Sequence, residues 1–170
     1  MNRAALLKAL AKAKLLLMDL DGTLTTGQVM ILQGGDRQAF FSARDGYGLA
    51  LLRENGLKLG IITGSVGTYV EERAKTLKIG ILRAGTLKKL DSYREIRDEL
   101  KLRDEEIVYI GDDFPDALVF PECGVGVAVA DSMPSVLARA DFITKAKGGE
   151  GAVREVAELI REAKGWGEVW

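Results

Sequence analysis

The stretch L-L-L-M-D-L-D-G-T-L-T-T-G ends an apolar run with Asp19 and Asp21, one residue apart, and follows them with Gly22. Side chains alternate along a strand, so the two carboxylates can share one side. Gly22 lets the backbone turn sharply and leaves room for a ligand. Two further apolar runs end in related chemistry. I-I-T-G-S delivers Thr63, Gly64 and Ser65, and I-V-Y-I-G-D-D-F-P-D delivers Asp112, Asp113 and Asp116. In an open α/β sheet, ligands bind beyond the carboxyl ends of the strands, where all of these residues fall. So many carboxylates at one edge would repel one another without a cation. A hard ion that takes oxygen ligands, Mg²⁺ above all, would make the cluster tolerable. Taken singly the residues have plainer uses, since an aspartate after a strand commonly caps a helix or makes a turn. Their occurrence in order, each at a strand end, is what points to a reaction site.

The composition narrows the chemistry. The chain has no histidine, so serine–histidine hydrolysis, histidine-ligated zinc and phosphohistidine chemistry are excluded. Hydrolysis must run on carboxylates, hydroxyls, lysines and a metal. The 24 basic residues balance 25 acidic ones, which gives no support to a nucleic-acid or polyanion partner. Cys123 is the sole cysteine, so an internal disulfide is excluded and a reducing cytoplasm is the expected compartment. No apolar run approaches the roughly 20 residues of a membrane span. Residues 1–14 read as a short amphipathic helix rather than a signal peptide. Few asparagines and glutamines among many Glu, Lys and Arg suggest a heat-adapted source.

A sheet must position these groups. The length suits one domain, residues 1–170, with a sizeable core. Strands are expected over Leu15–Asp19, Leu57–Thr63, Ile79–Arg83, Ile107–Gly111, Val125–Ala130 and Phe142–Thr144. Helices are expected over Asp45–Asn55, Val66–Leu77, Leu87–Leu100 and Gly151–Lys164, with short helical segments at Pro115–Pro121 and Met133–Arg139. This alternation predicts a three-layer α/β fold, a Rossmann-like parallel sheet covered on both faces. Leu87, Leu90, Ile96 and Leu100 are expected to face the core. Residues 28–41 break the rhythm, with strands at Gln28–Leu32 and Gln38–Phe41 around Q-G-G-D. Gly34 and Gly35 suit the turn, so a β-hairpin projects here and no separate cap domain is expected. Residues 165–170, with Trp166 and Trp170, read as a flexible tail.

Seven motifs extend a likeness from about Leu15 to Ile160: D-L-D-G-T-L-T-T-G, F-S-A-R-D-G-Y-G-L, I-I-T-G, G-T-L-K-K-L, Y-I-G-D-D-F-P-D, V-A-V-A-D and G-G-E-G-A-V-R-E-V. They resemble the haloacid dehalogenase superfamily of phosphohydrolases, and the last two resemble its small-cap branch, which includes 3-deoxy-D-manno-octulosonate 8-phosphate phosphatases. The resemblance implies that Asp19 is a nucleophile forming an aspartyl-phosphate. Asp21 would protonate the leaving oxygen and then activate water. Thr63 would bond the phosphoryl oxygens, and Lys89, chosen over Lys88 by its place before Leu90, would neutralise charge. Mg²⁺ would be held by the Asp19 carboxylate, the Asp21 backbone carbonyl and Asp112, with Gly22, Gly64, Asp113 and Asp116 in support. The resemblance also implies a role in lipopolysaccharide biosynthesis and a homotetramer in which a neighbouring subunit closes the site.

The chain departs from the branch at Ser65, where an arginine is usual, and at Thr26, where a second acid is usual. Both positions bear on substrate recognition or assembly rather than on the chemical step. A small sugar-acid phosphate remains the expected substrate, octulosonate 8-phosphate first and a nine-carbon relative as the alternative. Its carboxylate needs a positive partner, and Arg44, Arg73, Lys145 and Lys147 are the candidates beside Ser65. Arg44 and Asp45 could equally start a helix, and the two lysines could equally face solvent. The hairpin strand V-M-I-L is apolar on both faces, which favours association. Two other classes compete: a phospho-receiver domain and a non-catalytic assembly module that kept the motifs. A receiver draws its nucleophile from a later strand than its acidic pair, whereas here D-x-D lies on one strand.

Overall fold

A computed structural model describes residues 1–167 of the chain. Six strands, β1 (Leu15–Met18), β4 (Lys58–Ile62), β5 (Ile81–Arg83), β6 (Ile107–Gly111), β7 (Val125–Ala128) and β8 (Phe142–Ile143), form one sheet in the order β5-β4-β1-β6-β7-β8. Every neighbouring pair is parallel, with Leu17 in register with Gly60 on one side and Tyr109 on the other. The two central strands are therefore β1, which carries Asp19 and Asp21 at its end, and β6.

Alternation along the strands feeds two cores. Leu16 and Met18 join Leu59, Ile61, Val108 and Ile110 beneath α1 (Arg3–Leu10), α2 (Ala43–Glu54), α3 (Thr68–Thr76) and α7 (Ala152–Lys164). Leu15 and Leu17 join Ile62, Ile107 and Tyr109 beneath α4 (Lys89–Glu99), α5 (Phe114–Ala117) and α6 (Pro134–Leu137). Full burial of a leucine-sized side chain contributes about 1.5–3 kcal/mol, so a strand with no polar face is stabilised only between two helical layers. The expected three-layer α/β fold is the one observed.

Several boundaries shift by a few residues, as where the first hairpin strand starts at Thr25 rather than Gln28, and other details differ from expectation. α2 begins two residues early, because Ser42 is its cap and accepts the Asp45 N–H at 3.3 Å. Leu87 is not a core residue: it precedes α4 and is 71% exposed, while Tyr93 and Ile96 fill the buried positions. The chain end is not free at Trp166. Gly165 closes α7 in a left-handed turn, and the Trp166 ring packs on the core with Lys164 Nζ 5.2 Å from its centre. Trp170 lies outside the described residues.

The hairpin pairs β2 (Thr25–Ile31) with β3 (Arg37–Phe41) in antiparallel register, with an irregularity between Thr25 and Val29. Gly34 and Gly35 take φ of +100° and +90° at its tip. Val29, Met30, Ile31 and Phe40 are exposed. Its own body meets it at α3, where the Arg73 guanidinium stacks 4.5 Å from the centre of the Phe41 ring. No described helix is long and apolar enough to cross a membrane.

Candidate active site

A cleft of about 300 Å³ opens over the carboxyl ends of β1, β4 and β6. Asp19, Asp21, Thr63, Gly64, Ser65, Lys89, Asp112 and Asp113 line it, joined by Leu87 and Pro115. Parallel pairing explains the convergence. β4 and β6 flank β1, so residues just past all three strands arrive at one edge. At the floor, Lys89 Nζ lies 2.6 Å from Asp19 Oδ1 and 2.6 Å from Asp116 Oδ1. Lys89 is buried and Lys88 exposed, which assigns the buried cation to Lys89. Thr63 is buried and its Oγ1 accepts the Ser65 N–H at 3.1 Å.

Asp116 is fully engaged. Its Oδ1 accepts from Lys89 and from the Tyr109 hydroxyl at 2.8 Å, and its Oδ2 accepts the N–H groups of Asp112 and Asp113, each at 3.2 Å. Asp112 accepts from the Thr23 hydroxyl at 3.2 Å. Burial, reinforced by Asp116, pushes the Asp19 carboxyl well above its usual range against the opposing pull of Lys89. The same two causes push Asp112 up to about 6. Burial works against the Lys89 charge, but Asp19 and Asp116 outweigh it and hold the ammonium above its usual value.

Oxygens of Asp19, Asp112 and Asp116 lie within 4.8 Å of one another, and one lysine cannot offset three carboxylates. That donor set fits a hard cation. Because Asp116 already meets four donors, Asp19 and Asp112 are the carboxylates with capacity for an ion. Gly22, at φ +92°, lies directly against the Asp112 carboxylate, and a Cβ there would overlap it.

Other expected site residues are placed differently, two along the lining of the cleft and the rest outside it. Asp113 is exposed and caps α5, accepting the Phe114 N–H at 2.7 Å. Ser65 turns its hydroxyl to Asp21 Oδ2 at 2.6 Å. Arg44, Lys145 and Lys147 are exposed and do not line the cleft, nor does Arg73, which stacks on Phe41 and donates to the Ser42 carbonyl at 3.4 Å. Asp45 does not cap its own helix. It is buried and accepts the Gly151 and Arg154 N–H groups at 3.2 and 2.7 Å, at the start of α7. Tyr109, Thr23 and Tyr69 went unforeseen. Tyr109 was detectable as the one polar side chain in a buried strand, since a buried phenol needs a partner.

A parallel sheet in which a central strand ends in D-x-D, with a lysine-paired aspartate, a threonine and a second acidic group at one edge, defines a carboxylate-based phosphohydrolase. A family description for haloacid dehalogenase-like hydrolases matches residues 75–156. The 3-deoxy-D-manno-octulosonate 8-phosphate phosphatase of Yersinia pestis is 41% identical over 150 residues, 88% of this chain and 80% of that protein. The Escherichia coli K12 protein of the same name is 38% identical, over 89% and 81% of the two chains. A crystal structure of the Y. pestis phosphatase has a TM-score of 0.92 at 38% identity, covering 95% of this chain and 87% of that one. A crystal structure of the Moraxella catarrhalis phosphatase, in complex with a magnesium ion, a phosphate ion and a KDO molecule, has a TM-score of 0.92 at 37% identity over 94% and 92% of the chains. The chain belongs to the haloacid dehalogenase-like hydrolases, within the 3-deoxy-D-manno-octulosonate 8-phosphate phosphatase family.

Proposed function

We propose that this protein is a Mg²⁺-dependent phosphomonoester hydrolase that acts through an aspartyl-phosphate on 3-deoxy-D-manno-octulosonate 8-phosphate, a step of lipopolysaccharide precursor synthesis in the cytoplasm. The observation that carries this reading is the buried Asp19–Lys89 pair at 2.6 Å, on the floor of the cleft beside Asp21. Asp19 Oδ1 is fixed by the lysine, and its second oxygen is the nucleophile. Lys89 and Thr63 receive the phosphoryl oxygens, placing donors where negative charge accumulates. Asp21 gives a proton to the departing ester oxygen and takes one from the water that cleaves the intermediate. Asp19, Asp112 and the Asp21 backbone carbonyl would hold Mg²⁺, which when bound neutralises phosphoryl charge. Asp19→Asn should lower turnover by about 10³-fold or more while the melting temperature holds. Chelation should silence the wild type and added Mg²⁺ restore it. Near-native turnover by Asp19→Asn would overturn the nucleophile assignment.

Substrate choice rests on the relatives and on the cleft. Lys89 is the one cation among the described lining residues, and it is committed to the phosphate end. A sugar-acid carboxylate therefore needs a cation from outside this cleft. We assign that role to a neighbouring subunit in a tetramer built on the exposed hairpin. Comparing kcat/KM across sugar phosphates with and without an acid group tests it. We expect the acid-bearing eight-carbon ester to lead by about tenfold or more, since a paired charge is worth 1.5–3 kcal/mol. Preference for neutral sugar phosphates or nucleotides would sink the substrate and leave the phosphatase chemistry standing.

A further inference from the structure

Asp21 is held asymmetrically. Ser65 Oγ donates to its Oδ2 at 2.6 Å, and the Tyr69 hydroxyl donates to the same oxygen at 3.0 Å. The other oxygen, Oδ1, is buried and has no hydrogen-bond partner among the described residues. The two hydroxyls come from one short stretch, Ser65 in the turn after β4 and Tyr69 in the first turn of α3. Ser65 is itself steadied, because its N–H donates to Thr63 Oγ1 at 3.1 Å. A chain of contacts thus runs from the expected phosphate ligand Thr63 through Ser65 to Asp21, with Tyr69 closing it from the helix.

We propose that Ser65 and Tyr69 are positioning residues that clamp the Asp21 carboxyl by Oδ2, so that Oδ1 alone exchanges protons with the reacting oxygens. The inference rests on the phosphatase reading above. In the first half-reaction an Asp19 oxygen bonds to phosphorus and the ester P–O bond breaks. The ester oxygen keeps that electron pair and takes the proton from Asp21 Oδ1, leaving as the alcohol. In the second, a water oxygen bonds to phosphorus and loses its proton to Oδ1. The acyl-phosphate P–O bond breaks with its pair returning to Asp19, which releases inorganic phosphate and restores both aspartates. A carboxyl free to rotate presents either oxygen to the ester. Two donors on one oxygen remove that exchange and save the cost of orienting the acid at the moment of reaction. Ser65 thereby acts on the acid, rather than on the substrate as an arginine there would.

The clamp matters most when the leaving group needs a proton. Glycerol 1-phosphate releases an alkoxide unless protonated, whereas 4-nitrophenyl phosphate releases a stable phenolate, and neither depends on sugar-acid recognition. The value of kcat/KM reports the steps through transfer to Asp19. For Ser65→Ala with Tyr69→Phe, we expect the loss on glycerol 1-phosphate to exceed the loss on 4-nitrophenyl phosphate by about tenfold or more, since general acid catalysis contributes 10²–10⁴-fold. Ser65→Thr, which keeps the hydroxyl, should recover most of the single-variant deficit. The single variants each remove little more than one oxygen and supply the same ratio if the double variant does not fold. Equal losses on both substrates, or no recovery by threonine, would overturn the clamp. Absence of turnover on both esters by the Mg²⁺-supplied wild type would instead overturn the phosphatase reading, so the two failures are separable.

Discussion

Asp116 accepts four hydrogen bonds, from Lys89, Tyr109 and the N–H groups of Asp112 and Asp113. Those donors make it the buttress that presses Lys89 toward Asp19, and they explain how three carboxylates coexist at one buried edge. Gly22 imposes a second constraint at the same scale. Its φ of +92° strains any other residue, and a Cβ would overlap the Asp112 carboxylate. Gly22→Ala should cost about 1–3 kcal/mol in backbone strain. Displacing Asp112 should raise the Mg²⁺ concentration for half-maximal activity by about tenfold or more, read by titrating metal into chelator-stripped enzyme. An unchanged half-saturation would remove Asp112 from the ligand set. The residues legible from sequence, Asp19, Asp21, Thr63 and Asp112, all stand at strand ends, where topology alone brings them together. Lys89 came from motif spacing. Tyr69 and Thr23 carry no such mark, because a single hydroxyl on a helix or turn looks the same whether it meets solvent or a catalytic acid.

At the scale of elements, α7 depends on a side chain more than a hundred positions away. Its N-cap position is Gly151, which offers no side chain, and the N–H groups of Gly151 and Arg154 are met by Asp45 from α2. A helix start is one of the two uses that the sequence allows Arg44 and Asp45, and Ser42 performs that task. Local pattern could not reveal the true use of Asp45, since a cap supplied from another helix leaves no spacing signal. Asp45→Ala should cost about 1–2 kcal/mol in chemical denaturation, the scale of a lost N-cap. Asp45→Asn keeps one acceptor oxygen but sets an NH2 donor against the second N–H, so it should recover only part of that loss. No loss for either variant would remove Asp45 as the cap of α7. The consequence reaches the site, because the segment leading into α7 lies on the crossover after β1, where the Gly149 N–H donates to the Thr23 carbonyl at 2.9 Å. Loosening α7 should therefore lower kcat/KM as well as stability.

At the scale of the whole molecule, the parallel sheet was legible because two-sided strands leave no other way to bury their apolar residues. What the pattern of one chain holds only as a surplus of exposed apolar residues is the proposed second subunit. Val29, Met30, Ile31 and Phe40 stand exposed on a two-stranded hairpin whose own body meets it at α3. Two strands are marginal alone in water, and the proposed association would cover this apolar patch. Each Ile or Phe buried by association contributes about 1.5–3 kcal/mol, against the cost of lost translational and rotational freedom. Because Ile31 and Phe40 are 72% and 71% exposed, charging them should leave the isolated fold intact and act on association alone. Ile31→Asp with Phe40→Asp should convert a sedimenting tetramer to smaller species with little change in the folded circular-dichroism spectrum. The variant should keep turnover on 4-nitrophenyl phosphate better than on the sugar-acid ester, because the cation proposed for the carboxylate comes from the neighbour. A wild-type chain that sediments as a monomer at micromolar concentration with full activity on the acid ester would refute both the assembly and the shared site.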